Sequence, residues 1–202
     1  QRETPVAYED RPVCLAVGYN GGRLHPLRYA EDEAAEVARL TGGQALIGPS
    51  PKAALLTTAS VNARWLHISC HGQFDADAPL ASALLVGPDE WLAAQDLLTS
   101  ARLTCELVTL SACESGRGRV RRGDELIGLA RAFLAAGASA VVVTLWQVDE
   151  RSTRLLMAEF YRGMLAGLAA PAALRQAQLS IRGAFADPFY WSPFILIATG
   201  QT

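Results

Sequence analysis

Residues 139–146, SAVVVTLW, form a nearly unbroken apolar run. A strand with one wet face alternates apolar and polar residues, so a run like this belongs in a sheet buried on both faces. Just before it, GDELIGLARAFLAAG (123–137) repeats Leu126, Leu129, Ala130, Phe133 and Leu134 at helical spacing, and a glycine ends it. The same exchange of strand and helix runs through the chain. VCLAVGY (13–19), QALI (44–47), RWLHIS (64–69), CELVTLS (105–111) and YWSPFILIA (190–198) read as strands. LRYAEDEAAEVARL (27–40), AAQDLLT, 151–166 and 171–183 read as helices, and SPKAALLTTA opens another, with Ser50 as N-cap and Pro51 in its first turn. SALLVGPDEW (82–91) reads as a hairpin around Gly87-Pro88. This order predicts an α/β fold with one mainly parallel central sheet of about six strands and helices on both faces.

Bulk properties narrow the classes. The 202 residues are half hydrophobic, with mean hydropathy +0.16 and net charge −2, which fits one domain at 13–202 behind a polar N-terminal linker at 1–12. No basic excess invites a nucleic-acid partner, and no apolar run is long enough to predict a membrane span. Cys14, Cys70 and Cys105 lie in or beside apolar runs, so with Cys113 they make a set too sparse for a disulfide framework; a reducing, cytoplasmic setting is expected. One lysine against seventeen arginines suggests a GC-rich, bacterial genome. The start at Gln1 fits a domain excised from a longer chain.

Two apolar runs end in chemically capable residues. WLHISCHG brings His71 and Gly72 just past one predicted strand, and LVTLSACESG brings Cys113 just past another. Open α/β sheets bind ligands beyond the carboxyl ends of their strands. There, an imidazole can help a thiol lose its proton or can protonate a leaving amine, without metal or cofactor. The peptide N–H groups of Gly72 and Cys113 could together hold a developing oxyanion. The reaction class is acyl transfer, most simply peptide-bond hydrolysis. Taken singly, each residue has a structural reading too, and spacing leaves both readings open. A zinc site from His67, Cys70, His71 and Cys113 conflicts with strand alternation and lacks paired CxxC spacing. No metal is expected, and His67 reads as a supporting core residue. A flavodoxin-like enzyme would need a glycine-rich phosphate loop after the first strand, and NGG lacks that spacing.

HISCHG, LSACESG, GDELIGLARAFLAAGASAVVVTLWQVDERST, FYRGMLAG and DPFYWSPFILIATG resemble, in order, successive blocks of the CHAT family of caspase-like, clan CD cysteine peptidases, related to caspases, separases and gingipains. The resemblance runs from about Val13 to Gly200. It implies a caspase-like α/β sandwich and a cysteine endopeptidase with Cys113 as nucleophile and His71 as general acid/base. It also implies a protein substrate, such as a bacterial gasdermin or another effector in signalling or antiphage defence, and regulation by sensor or repeat modules in the same or a partner chain. The competing class is a caspase-like binding or scaffold module without turnover.

By the same resemblance, the substrate pocket draws on Ser111, Asp75, Trp146, Gln147 and Asp149. Related separases carry an acid where this chain has Gln147, so Asp149, Glu150 or Asp75 would have to supply a carboxylate for a basic side chain. Asp149 reads equally as the N-cap of the helix that follows. GRGRVRRGDE (116–125) reads either as a solvated loop or as a mobile regulatory loop processed on activation.

Overall fold

The computed structural model describes residues 13–22, 26–50, 52–57, 62–75, 77–114 and 124–199, with the backbone only at 55, 57, 113, 114 and 124–127. The expected linker at 1–12 and most of the expected loop at 116–125 lie outside the described residues.

The strands are β1 (Cys14–Gly18), β2 (Gln44–Leu46), β3 (Trp65–Gln73), β4 (Ala83–Gly87), β5 (Glu90–Ala93), β6 (Leu107–Glu114), β7 (Ala140–Thr144) and β8 (Phe194–Ala198). The helices are α1 (Ala30–Thr41), α2 (Ala53–Thr57), α3 (Ala94–Ser100), α4 (Asp124–Ala135), α5 (Glu150–Leu165) and α6 (Ala170–Ile181). The sheet path is β2-β1-β3-β6-β7-β8, parallel except for β8, which runs antiparallel to β7; the β4–β5 hairpin attaches to β3. This is the expected α/β architecture with the expected hairpin at 82–91; the hairpin's attachment to β3 and the antiparallel direction of β8 are what the structure adds.

Strand alternation divides the core into two layers. Val17, Leu66, Ile68, Cys70, Val108, Leu110, Ala112, Val141 and Val143 pack with α4, through Leu129, Ala130 and Phe133, and with α3, through Leu97. Cys14, Ala16, Trp65, Leu107 and Val142 pack on the other face with α1, α5 and α6. The apolar run at 139–146 is therefore split residue by residue between two helix layers, which explains why it carries no polar alternation. Gly137 ends the α4 turn at φ 119°, and a Cβ there would sit 2.2 Å from the Leu103 carbonyl oxygen, so only glycine lets the chain enter β7.

Two strand ends differ from expectation. His71 and Cys113 lie inside β3 and β6, because β3 continues to Gln73 and β6 to Glu114. The hairpin folds back to pair Leu85, Leu84 and Ala83 with His71, Gly72 and Gln73, occupying the flank of β3 that β1 vacates after Gly18. On the other flank, His71 and Gly72 pair with Cys113 and Glu114. With ladder partners on both sides, the backbone stays extended past the point where the apolar pattern stops.

Candidate active site

The site begins with one row of register partners. Trp65, His67, Ser69 and His71 alternate onto one face of β3, and Leu107, Thr109, Ser111 and Cys113 are their partners on β6. Paired positions on neighbouring parallel strands share a face and lie about 4.8 Å apart. His71 and Cys113 are thus side by side at the carboxyl end of the row, although 42 positions separate them in the chain. His71 is buried, at 4 % exposure.

Beneath this pair the row becomes a buried polar network. His67 Nε2 lies 3.0 Å from Glu33 Oε1 of α1, and His67 Nδ1 lies 3.3 Å from the Tyr161 hydroxyl of α5. That hydroxyl donates to Thr109 Oγ1 at 3.1 Å. Burial pushes the Tyr161 pKa well above its ordinary value, so the phenol keeps its proton and remains a donor. Glu33, His67 and Tyr161 are nearly sealed, and their polar atoms answer one another. His67 is the supporting core residue expected, but Glu33 and Tyr161 were missed. A signal existed for Glu33: it falls on the stripe Ala30, Glu33, Ala34, Val37, Ala38 that α1 buries, where an acid needs a partner.

A small cavity of about 20 Å³ opens on this face beside Ser69 and Ser111, with Glu33, Tyr29, Glu150 and Thr153 also lining it. Glu150 Oε2 accepts the N–H groups of Arg28 at 2.6 Å and Tyr29 at 3.0 Å, which holds that segment against the cavity. The Thr153 hydroxyl is buried there without a hydrogen-bond partner. Leu27, Ala30 and Val148 make much of the lining apolar, carboxylates and hydroxyls supply its polar part, and among the described residues none that lines it is basic.

The remaining expected residues also gather at this end of the sheet, on loops after β3 and β7, but most are engaged locally. Asp75 Oδ1 accepts from the N–H groups of Asp77 at 2.9 Å and Ala78 at 3.0 Å, bracing its own turn. Trp146 Nε1 donates to the Phe189 carbonyl at 3.2 Å. Gln147 is exposed. Gly72 lies within the ladder between β4 and β6, and the Phe74 ring occupies the space a Cβ would take, 2.4 Å away, so glycine there has a packing reason of its own. Of the expected pocket residues, Ser111 and Glu150 line the cavity.

Asp149 takes the N-cap position of α5, its Oδ1 accepting the Ser152 N–H at 2.8 Å. Asp149→Ala should therefore cost about 1 kcal/mol in a urea titration, whereas Asp149→Asn, an equally good cap, should keep the stability. Equal loss in both variants would show that the charge, not the cap, is what the fold uses.

Comparison with known proteins gives a consistent family. The family model described as "CHAT domain" matches residues 8–199. Tetratricopeptide repeat protein 28 of Mus musculus is 32 % identical over 98 % of this chain, and its Homo sapiens counterpart is 31 % identical over 86 %. The chain spans only 10 % and 8 % of those two proteins. With a match across nearly its whole length, on a mainly parallel caspase-like sheet flanked by helices, the chain belongs to the CHAT-domain family.

Proposed function

We propose that this domain is a cysteine endopeptidase in which Cys113 is the nucleophile and His71 the general acid/base. The observation that carries the proposal is the direct register pairing of the two residues on β3 and β6, with a cavity opening on the same face at Ser69 and Ser111. The Cys113 thiol gives its proton to His71 as its sulfur attacks the scissile carbonyl carbon, and the Gly72 and Cys113 N–H groups are assigned to the carbonyl oxygen. The C–N bond breaks as His71 delivers a proton to the leaving nitrogen. Water then hydrolyses the thioester, releasing the carboxyl product and regenerating the thiol.

The carboxylate of Glu150 and the hydroxyl of Ser111, set in an otherwise largely apolar lining, support a basic side chain before the scissile bond, with a long aliphatic stem and a charged tip. At about 20 Å³ the cavity holds little more than one water, so such a side chain enters only as the Arg28–Tyr29 segment releases from Glu150. The substrate is a protein, and the relatives named for tetratricopeptide repeats support its presentation by repeat modules in the same or a partner chain.

Peptide acyloxymethyl ketones differing at the residue before the warhead test this reading. Labelling should fall on Cys113, depend on His71, and be strongest with a basic residue. Cys14, Cys70 and Cys105 are buried, and the Cys14 thiol is pushed up from 9.0 to about 12 by burial, so these three should stay unlabelled until urea unfolds the chain. Absence of Cys113 labelling with every probe would overturn the proposal. It would favour the second reading, a scaffold module, which the relatives' repeat-based names also support.

A further inference from the structure

The register row does not stop at His71. On the side away from Cys113, His71 pairs with Leu85 of β4, and Leu85 pairs with Trp91 of β5. Cys113, His71, Leu85 and Trp91 are therefore successive register partners in one line across four strands. Along it, Leu85 and Trp91 lie about 5 and 10 Å beyond His71.

An open groove of about 350 Å³ lies over the far part of this line, walled by Tyr19, Leu85, Pro88 and Trp91. Its lining is mainly apolar, and Trp91 is 36 % exposed, so its indole is available to a ligand in the groove. Residues with positive φ lie on its rim. Gly22 adopts φ 55° beside Tyr19, and a Cβ there would come 2.4 Å from the Tyr19 hydroxyl oxygen. On the opposite rim, Asp89 takes the left-handed conformation at φ 53° in the β4–β5 turn and places an acid at the groove's edge.

We propose that this groove is the leaving-side subsite of the peptidase, with Trp91 as its specificity-determining residue for an apolar, preferably aromatic, substrate side chain. This rests on the proteolytic reading above. The new amine forms at His71, so the substrate segment that departs with it must lie on the His71 side of Cys113, along the line toward Leu85 and Trp91. An extended peptide advances about 3.4 Å per residue, which sets the second or third residue after the scissile bond over the groove. A flat indole beside a leucine floor favours an aromatic or large aliphatic side chain there, and Asp89 disfavours an acidic one.

Two reporter types separate this subsite from the chemistry. Peptidyl-aminomethylcoumarins end at the scissile bond and have nothing to place in the groove. Internally quenched peptides with the same sequence before the bond, carrying Phe or Asp at the second and third positions after it, do. Wild type should prefer the Phe peptide to the Asp peptide by about tenfold in kcat/KM. Trp91→Ala should lose about tenfold on the Phe peptide while changing the coumarin reporter less than about twofold, and Trp91→Phe should restore most of the loss. Equal loss on both reporters, or no loss on either, would overturn the subsite and leave the peptidase reading standing. Cleavage of neither reporter by wild type would overturn both.

Discussion

Cys113→Ala should lower kcat/KM on the best coumarin reporter by at least about 1,000-fold, with little change in the unfolding midpoint. The chemical step needs a sulfur at that position, and the oxyanion donors assigned to it are backbone groups that alanine retains, so the residual rate reports their contribution alone. The substitution is small, and β6 keeps its pairing with β3 through Leu107–Ala112, so the fold has no reason to fail. His71→Gln should cost about 10² to 10⁴ in the same assay, because protonation of the leaving nitrogen then falls to water. Gln is chosen because His71 is buried between two strands, and a truncation there would confuse lost packing with lost chemistry. The pair of variants also separates the two functional readings. A scaffold would bind its partner equally well with either substitution, and a peptidase would bind without releasing cleaved product.

The layered fold was legible because its strands and helices obey periods that burial imposes. SAVVVTLW reads as doubly buried, and β7 distributes its valines between the two helix layers. The positions of His71 and Cys113 were legible as well, since both close an apolar run. The extent of their strands was not. His-Gly-Gln and Cys-Glu carry no apolar pattern; a hairpin beginning ten positions after Gln73 keeps the first extended, and pairing with His71 and Gly72 keeps the second so. Local sequence cannot report a ladder partner supplied from elsewhere. The line to Leu85 and Trp91 was hidden for the same reason, because it exists only once the β4–β5 register is known. Asp149 shows the opposite limit. The sequence alone allows both a cap and a pocket acid there, and a 2.8 Å contact to the Ser152 N–H identifies the cap as the one the fold uses.

Tyr161→Ala should be the most damaging single change to stability. Tyr161 is fully buried, and its ring packs at centroid distances of 5.2 Å to Phe160, 5.6 Å to His67 and 5.8 Å to Trp65. Removing a buried aromatic ring of this kind costs about 3 to 5 kcal/mol. Removing the hydroxyl also strips Thr109 of its donor and takes the Tyr161 oxygen away from His67, adding a penalty for buried polar atoms. Tyr161→Phe keeps the ring and isolates that second part, which should amount to about 1 to 2 kcal/mol. For a domain of this size the alanine variant should melt roughly 6 to 20 °C lower and the phenylalanine variant about 2 to 8 °C lower. Differential scanning calorimetry of the two variants beside wild type reads both differences. The network lies under Ser69 and Ser111, on the face that carries His71, so a loosened floor should raise KM for peptides before it lowers kcat. A Tyr161→Ala protein as stable as wild type would mean that the Glu33–His67–Tyr161–Thr109 contacts do not hold α1 and α5 to the sheet, and that the site's floor is set by the apolar layer alone.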